Sequence, residues 1–184
     1  MGRVGDIVVV SVSLEVRSEG VLFILLAKDG TINRMGTGSA GNTERNLFIG
    51  RTNQPLLGDL LSRLTDDMLR HTGTYDVKEK RGIPCRLSIL MQFQDGSEDG
   101  FIITYGSESQ GPPREIRAFV EAAAQITESW YSDQKAIKAR AGESRRQARD
   151  EVQGGRRRDS QVDAPEEQPD SALGWLKRLL RKMS

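Results

Sequence analysis

Residues 36–41, Gly-Thr-Gly-Ser-Ala-Gly, match the G-x-G-x-x-G spacing with which dinucleotide-binding turns bring backbone amides to a pyrophosphate. That chemistry needs a helix N-terminus directly after the glycines and the first strand of a βαβ unit before them. Here a hairpin precedes the loop, and Asn42-Thr43-Glu44-Arg45 leads into a strand-like run. A flexible loop is therefore expected, not a phosphate site. Asp95, Ser97 and Asp99 before Gly100 look like the start of a calcium loop, but Gly106 stands where the bidentate carboxylate belongs. A solvated hairpin tip is the expectation.

His71 is the only histidine, which rules out metal sites built on two or more histidines. It falls at the end of a helical stretch, where an imidazolium would cap the negative end of the dipole. Cys85 is the only cysteine, so the chain can form no internal disulfide and no multi-cysteine zinc site. Arg81 and Arg86 lie close to it in sequence and could activate the thiol, but a small buried hydrophobe is the simpler reading. Asp66 and Asp67 are adjacent on a helix and point about 100° apart, so they cannot converge on one atom. No cofactor is expected. An enzyme with an unfamiliar site on the sheet would have to gather residues such as Arg34, Arg45, Tyr105 and Glu108.

Arg156-Arg157-Arg158 could meet nucleic-acid phosphates, but four acids follow at once and no aromatic residue interleaves for stacking. A charge-mixed tether is expected and nucleic acid is not a favoured partner. The last fourteen residues carry the sharpest pattern. On a helical wheel Ala172, Leu173, Trp175, Leu176, Leu179, Leu180 and Met183 share one arc of about 160°. Gly174, Lys177, Arg178, Arg181, Lys182 and Ser184 fill the rest. Asp170 or Ser171 can cap its start, and the cations lie toward the negative end of the dipole. An isolated helix of this length, about 21 Å, is marginal in water, so it should form when its apolar side meets a surface. That surface is its own domain or a second copy, a groove on a partner protein, or an anionic membrane surface. Residues Leu173, Trp175, Leu176, Lys177, Arg178, Leu179, Leu180, Arg181, Lys182 and Met183 are the candidate contact set.

The elements that must position these groups follow from periodicity. Apolar residues are 36% and charged residues 29% of 184, and the apolar shortfall lies almost wholly beyond Lys138. An α+β globular domain is expected over 1–138, a charged helical extension and flexible linker over 139–170, and a basic amphipathic helix over 171–184. From Arg140 onward eleven Lys or Arg face eight Asp or Glu, a net +3 that leaves −2 for the rest of the net +1. Ile7 to Arg17 alternates as a half-buried strand, with Val8, Val10, Val12, Leu14 and Val16 on one side. Ser18-Glu19-Gly20 should turn it into Val21 to Ala27, apolar on both sides and so a central strand. Asp29-Gly30 is a hairpin turn into Thr31 to Met35, and Asn46 to Arg51 is a further short strand.

Pro55 opens a helix capped by Thr52 or Asn53, with Leu57, Leu60, Leu61, Leu64 and Met68 as its stripe, ending at Gly73. Leu87 to Phe93 and Phe101 to Tyr105 form a second hairpin. Pro112-Pro113 starts a helix with Ile116, Phe119, Val120, Ala123, Thr127 and Trp130 inward. The fold expected is a mainly antiparallel sheet of five or six strands with two helices on one face. The two halves look alike, each a hairpin followed by a Gly/Ser loop and a Pro-started helix.

The strand and helix order is similar to that of small α+β chaperone-like and adaptor domains, a likeness of fold alone. The polar linker and short amphipathic helix resemble encapsulation peptides that load cargo into bacterial protein compartments. Arginine far outnumbers lysine, which suits a GC-rich bacterial genome. The first residues alternate with Ser and Glu and read as a strand and not as a signal peptide, and Val21 to Ala27 is too short to span a bilayer. A cytoplasmic protein is expected, peripheral to a membrane at most. The function expected is a non-enzymatic binding or adaptor role, with peripheral membrane attachment or an unrecognised enzyme as alternatives.

Overall fold

The structure, a computed structural model, describes residues 3–39, 41 and 45–156. The chain divides into two units, Met1–Ala139 and Arg140–Ser184. The first unit holds a seven-stranded sheet: β1 (Ile7–Val16), β2 (Glu19–Ala27), β3 (Thr31–Met35), β4 (Phe48–Arg51), β5 (Gly73–Asp76), β6 (Pro84–Phe93) and β7 (Glu98–Gly106). Between β4 and β5 lie two short helices, α1 (Leu56–Leu61) and α2 (Asp66–Leu69), and α3 (Arg114–Arg156) follows β7. Strand order is β4-β3-β2-β1-β6-β7-β5. All neighbours are antiparallel except β5 and β7, which run parallel.

Alternation decides what each side of the sheet carries. Val10, Val12, Ile24, Leu26, Ile32, Leu87, Ile89, Met91, Phe101 and Ile103 are buried on one side. Leu56, Leu57 and Leu60 of α1, Leu64, Met68 of α2, and Ile116, Phe119 and Ala123 of α3 pack into the same core. Burying one such leucine or isoleucine contributes roughly 1.5–3 kcal/mol. A β-bulge sets the start of β1: Ile7 pairs with Phe93 and Val9 with Gln92, so Val8 is the extra residue. Ile7 thereby enters the core while Val8 stays half-buried, a change from the simple alternation.

One buried charge fastens α3 to the sheet. Arg34 is 1% exposed on β3. Its Nε donates to the Gly36 carbonyl at 3.2 Å, and its Nη1 donates to the Ala124 carbonyl at 3.0 Å and to Thr127 Oγ1. Nη2 reaches Glu128 Oε2 at 3.4 Å, and the guanidinium lies 5.1 Å from the Tyr131 ring centre. Burial lowers its pKa, and Glu128 acts against that shift. Tyr131 is fully buried, meets Phe48 edge-on at 5.5 Å, and accepts a hydrogen bond from the Gly36 amide at 3.2 Å. Trp130 lies over β4, where a Cβ on Gly50 would come within 2.8 Å of its ring.

Several elements differ from the periodicity reading. The sheet has seven strands and not five or six, because Gly73–Asp76 joins as an edge strand. Its four residues are all exposed and show no alternation, so only the hydrogen bonds to β7 define it. The first helix is two helices. The chain closes into tight turns after Leu60 and Leu61, and Thr65 Oγ1 then accepts from the Met68 amide to cap α2. Neither Thr52 nor Asn53 caps α1; Thr52 Oγ1 accepts from Gln54 N, and the cap position is Pro55. Tyr131, one turn beyond Thr127, completes the fully buried stripe of α3, and Trp130 packs half-buried against the core. The expected turn at Ser18-Glu19-Gly20 is made by Arg17 and Ser18, both at positive φ. Beyond Ser132 the helical alternative holds as far as Arg156.

Candidate functional site

The residues singled out for chemistry do not converge. In the glycine loop, Gly36 (φ 69°) and Gly38 (φ 84°) both need the left-handed region, and the Gly38 amide donates to the Val21 carbonyl at 3.0 Å. The loop joins β3 to β4, so no helix start follows it. Gly36 is held instead between Arg34 and Tyr131. Asp95 Oδ1 accepts from both the amide and the hydroxyl of Ser97, which ties the β6–β7 hairpin tip to itself. Asp99 Oδ1 accepts from the Gly100 amide. Among the described residues no three His, Cys, Asp or Glu side chains gather as metal ligands.

Arg34, Arg45, Tyr105 and Glu108 have separate surroundings. Arg34 serves α3, and Arg45 pairs with Glu19 at 2.6 Å on the exposed surface. Tyr105 stands beside Cys85 on the neighbouring strand, and burial raises its phenol, with Cys85 adding to the shift. Glu108 lies against Gly82. His71 sits in the turn after α2, where its amide donates to Met68 and its carbonyl accepts from the Tyr75 hydroxyl at 2.6 Å. The expected cap at the end of one long helix has no counterpart there, because the helix has already ended at Leu69. Arg157, Arg158 and the candidate contact set Leu173 to Met183 lie outside the described residues.

Cys85 is 7% exposed, and its thiol is 3.5 Å from the Ile83 carbonyl. Burial pushes its pKa up. Arg86 is the next residue on the same strand and so projects from the opposite side, while Arg81 pairs with Glu79 at 3.2 Å. Neither arginine activates the thiol. Iodoacetamide should therefore label Cys85 roughly a hundredfold slower at neutral pH than in the urea-unfolded chain. The linkage has a sign: the fold holds the proton longer than the unfolded chain, so stability falls as pH rises from the ordinary thiol pKa through the raised one. Equal labelling rates in folded and unfolded protein would contradict this placement.

The surface that sequence reasoning missed is the other side of the sheet. Register places Ile49, Asn33, Leu25, Ser11, Leu90 and Gly100 in one row across six strands. A second row runs Met35, Phe23, Ser13, Ser88, Ile102 and Thr74. Ile49 is 69% exposed and Leu90 42%, and none of the apolar residues of these rows belongs to the core that the helices cover. Hydroxyls of Ser11, Ser13 and Ser88 run between the apolar side chains. Charges stand at the ends, with Arg51 and Glu98 toward one and Glu15 and Arg86 toward the other. The amide oxygen of Asn33, on β3 beside the edge strand, is buried and has no hydrogen-bond partner among the described residues. The signal available in sequence was β2, apolar on both sides although helices cover only one.

Among the described residues no helix is long and apolar enough to cross a membrane. Set against family models, curated proteins and solved structures, the chain finds no match in any of the three.

Proposed function

We propose that this protein is a non-enzymatic binding or adaptor protein. Its sheet domain docks a protein partner on the uncovered side, and residues 171–184 supply a second contact. The observation that supports this reading is the row from Ile49 through Leu25 to Leu90. A stripe of apolar and small hydroxyl side chains with charges at its ends has the core-and-rim character of a protein interface.

The terminal segment adds avidity. Tethering a second contact turns its binding into an intramolecular event, which can raise overall affinity about a hundredfold or more without any change in the first contact. Trp175 and the leucines opposite Lys177, Arg178, Arg181 and Lys182 also suit an anionic lipid surface. Flotation of the full chain with anionic and neutral vesicles separates the two: movement with anionic vesicles alone assigns the segment to a membrane.

The experiment compares the full chain, a chain ending at Asp170, and an Ile49→Glu/Leu90→Glu double variant. Sedimentation velocity reads self-association, and quantitative co-purification reads other partners. Both substituted side chains are exposed, so the melting temperature should move by only a few degrees. Partner retention should fall at least about tenfold in the double variant. Retention and self-association unchanged in both altered chains would remove the adaptor reading.

A further inference from the structure

We infer that a cleft between α2, β5 and the start of α3 binds a small amphiphilic cation, an aromatic or branched aliphatic amine of modest size. The cleft lies on the helix-covered side of the domain, apart from the uncovered sheet surface, and does not depend on the adaptor reading.

Its volume is about 370 Å³. That is at the small end of the range for ligand sites, enough for a compact molecule of roughly 10–20 non-hydrogen atoms. Buried side chains of the core, Met68, Phe101, Ile103 and Ile116, form part of its wall, so the cleft opens directly onto apolar surface. The parallel pairing of β5 with β7 builds the outer side, because it brings Tyr75 alongside Ile103. Tyr75 is held there by the bond from its hydroxyl to the His71 carbonyl, 2.6 Å, which leaves its ring as a wall.

Besides Tyr75, the polar residues of the lining are Thr65, Asp67, His71 and Glu115. Asp67 and Glu115 are its acidic residues and His71 its one imidazole, and among the described residues no lysine or arginine lines the cleft. Among the described residues Asp67 forms one ion pair, with Arg70 at 3.8 Å; both side chains are about three-quarters exposed, so the pair is weak and screened. Glu115 forms no ion pair with a described residue. The first turn of α3 opposes this preference, since a helix N-terminus favours an anion, but Glu115 in that turn already supplies one. A cationic head beside Asp67 and Glu115, with an apolar body against Phe101 and Ile116, suits these acidic and apolar parts of the lining. An aromatic wall at Tyr75 adds a cation–π partner.

The test uses three matched probes on the full chain: 3-phenylpropylamine, 3-phenylpropan-1-ol and 3-phenylpropionate. Titrations followed by backbone amide NMR should shift Met68, His71, Tyr75 and Ile116. The amine should bind about fivefold more tightly than the alcohol, the scale of one exposed charge contact, with the carboxylate weakest. In an Asp67→Asn/Glu115→Gln variant, whose changes are on exposed side chains, the advantage of amine over alcohol should fall below about twofold while the alcohol affinity holds. Equal affinity for all three probes, tighter binding of the carboxylate, shifts away from these residues, or an amine advantage that survives the double variant would each overturn the assignment.

Discussion

Arg34→Ala is expected to lower the unfolding free energy by about 3–5 kcal/mol. The guanidinium is 1% exposed and bonds to Gly36, Ala124, Thr127 and Glu128, so it joins β3 to two turns of α3. Removing it leaves a cavity and unmatched carbonyls together. Domains of this size are stable by only about 5–15 kcal/mol, so the variant should be marginal in urea titration.

Two companion variants separate the causes. Arg34→Met keeps the volume and removes the charge, and should cost only about 1–3 kcal/mol, because no second buried charge is stranded. Glu128 is 52% exposed, so Glu128→Gln should cost under about 1 kcal/mol. A loss below about 1 kcal/mol for Arg34→Ala would mean that α3 is held by its apolar stripe alone.

Gly36→Ala should cost about 2–4 kcal/mol. The residue has φ 69°, and an added Cβ would lie 2.1 Å from the Val21 carbonyl oxygen, which belongs to the backbone of β2 and cannot swing aside. Its amide and carbonyl also engage Tyr131 and Arg34, so the strain would spread to the α3 fastening. Gly38 is the control within the same motif. Its φ is 84°, but a Cβ there meets only the Leu22 side chain, at 3.8 Å or more. Gly38→Ala should cost about 1–2 kcal/mol, the price of the left-handed backbone alone. Thermal melts of both variants measure the difference. Equal losses would show that conformation and not contact sets the requirement at Gly36.

Much of the fold was legible because it is local. Val10, Val12, Leu87, Ile89 and Met91 alternate, Asp29-Gly30 carries its turn chemistry in two residues, and Ile116 to Thr127 repeats at the helical period. Such signals depend on neighbours two to four positions away. Thr65 was legible too, as a capping hydroxyl followed by two acids, but the leucine stripe running past it masked the break.

The roles of Arg34, Tyr131 and Gly36 were not legible. Each depends on partners about ninety residues away, and an arginine in a strand pattern looks like any solvated charge. The same holds for β5, whose four exposed residues become a strand only beside β7, and for Asp67 and Glu115, which line one cleft although the sequence separates them by a whole hairpin. The uncovered sheet row stands between these cases: β2 announced two apolar sides, but which one the helices would take was undetermined.

The chain's own order of residues determined the α+β class, the core stripes, the hairpins and the basic amphipathic pattern at its end, because periodicity along a chain sets which side chains share a side. Tertiary structure decided which side is covered, where a buried cation finds acceptors, and which distant residues line one cleft. Those outcomes are set by contacts between segments distant in sequence, and no local pattern specifies them.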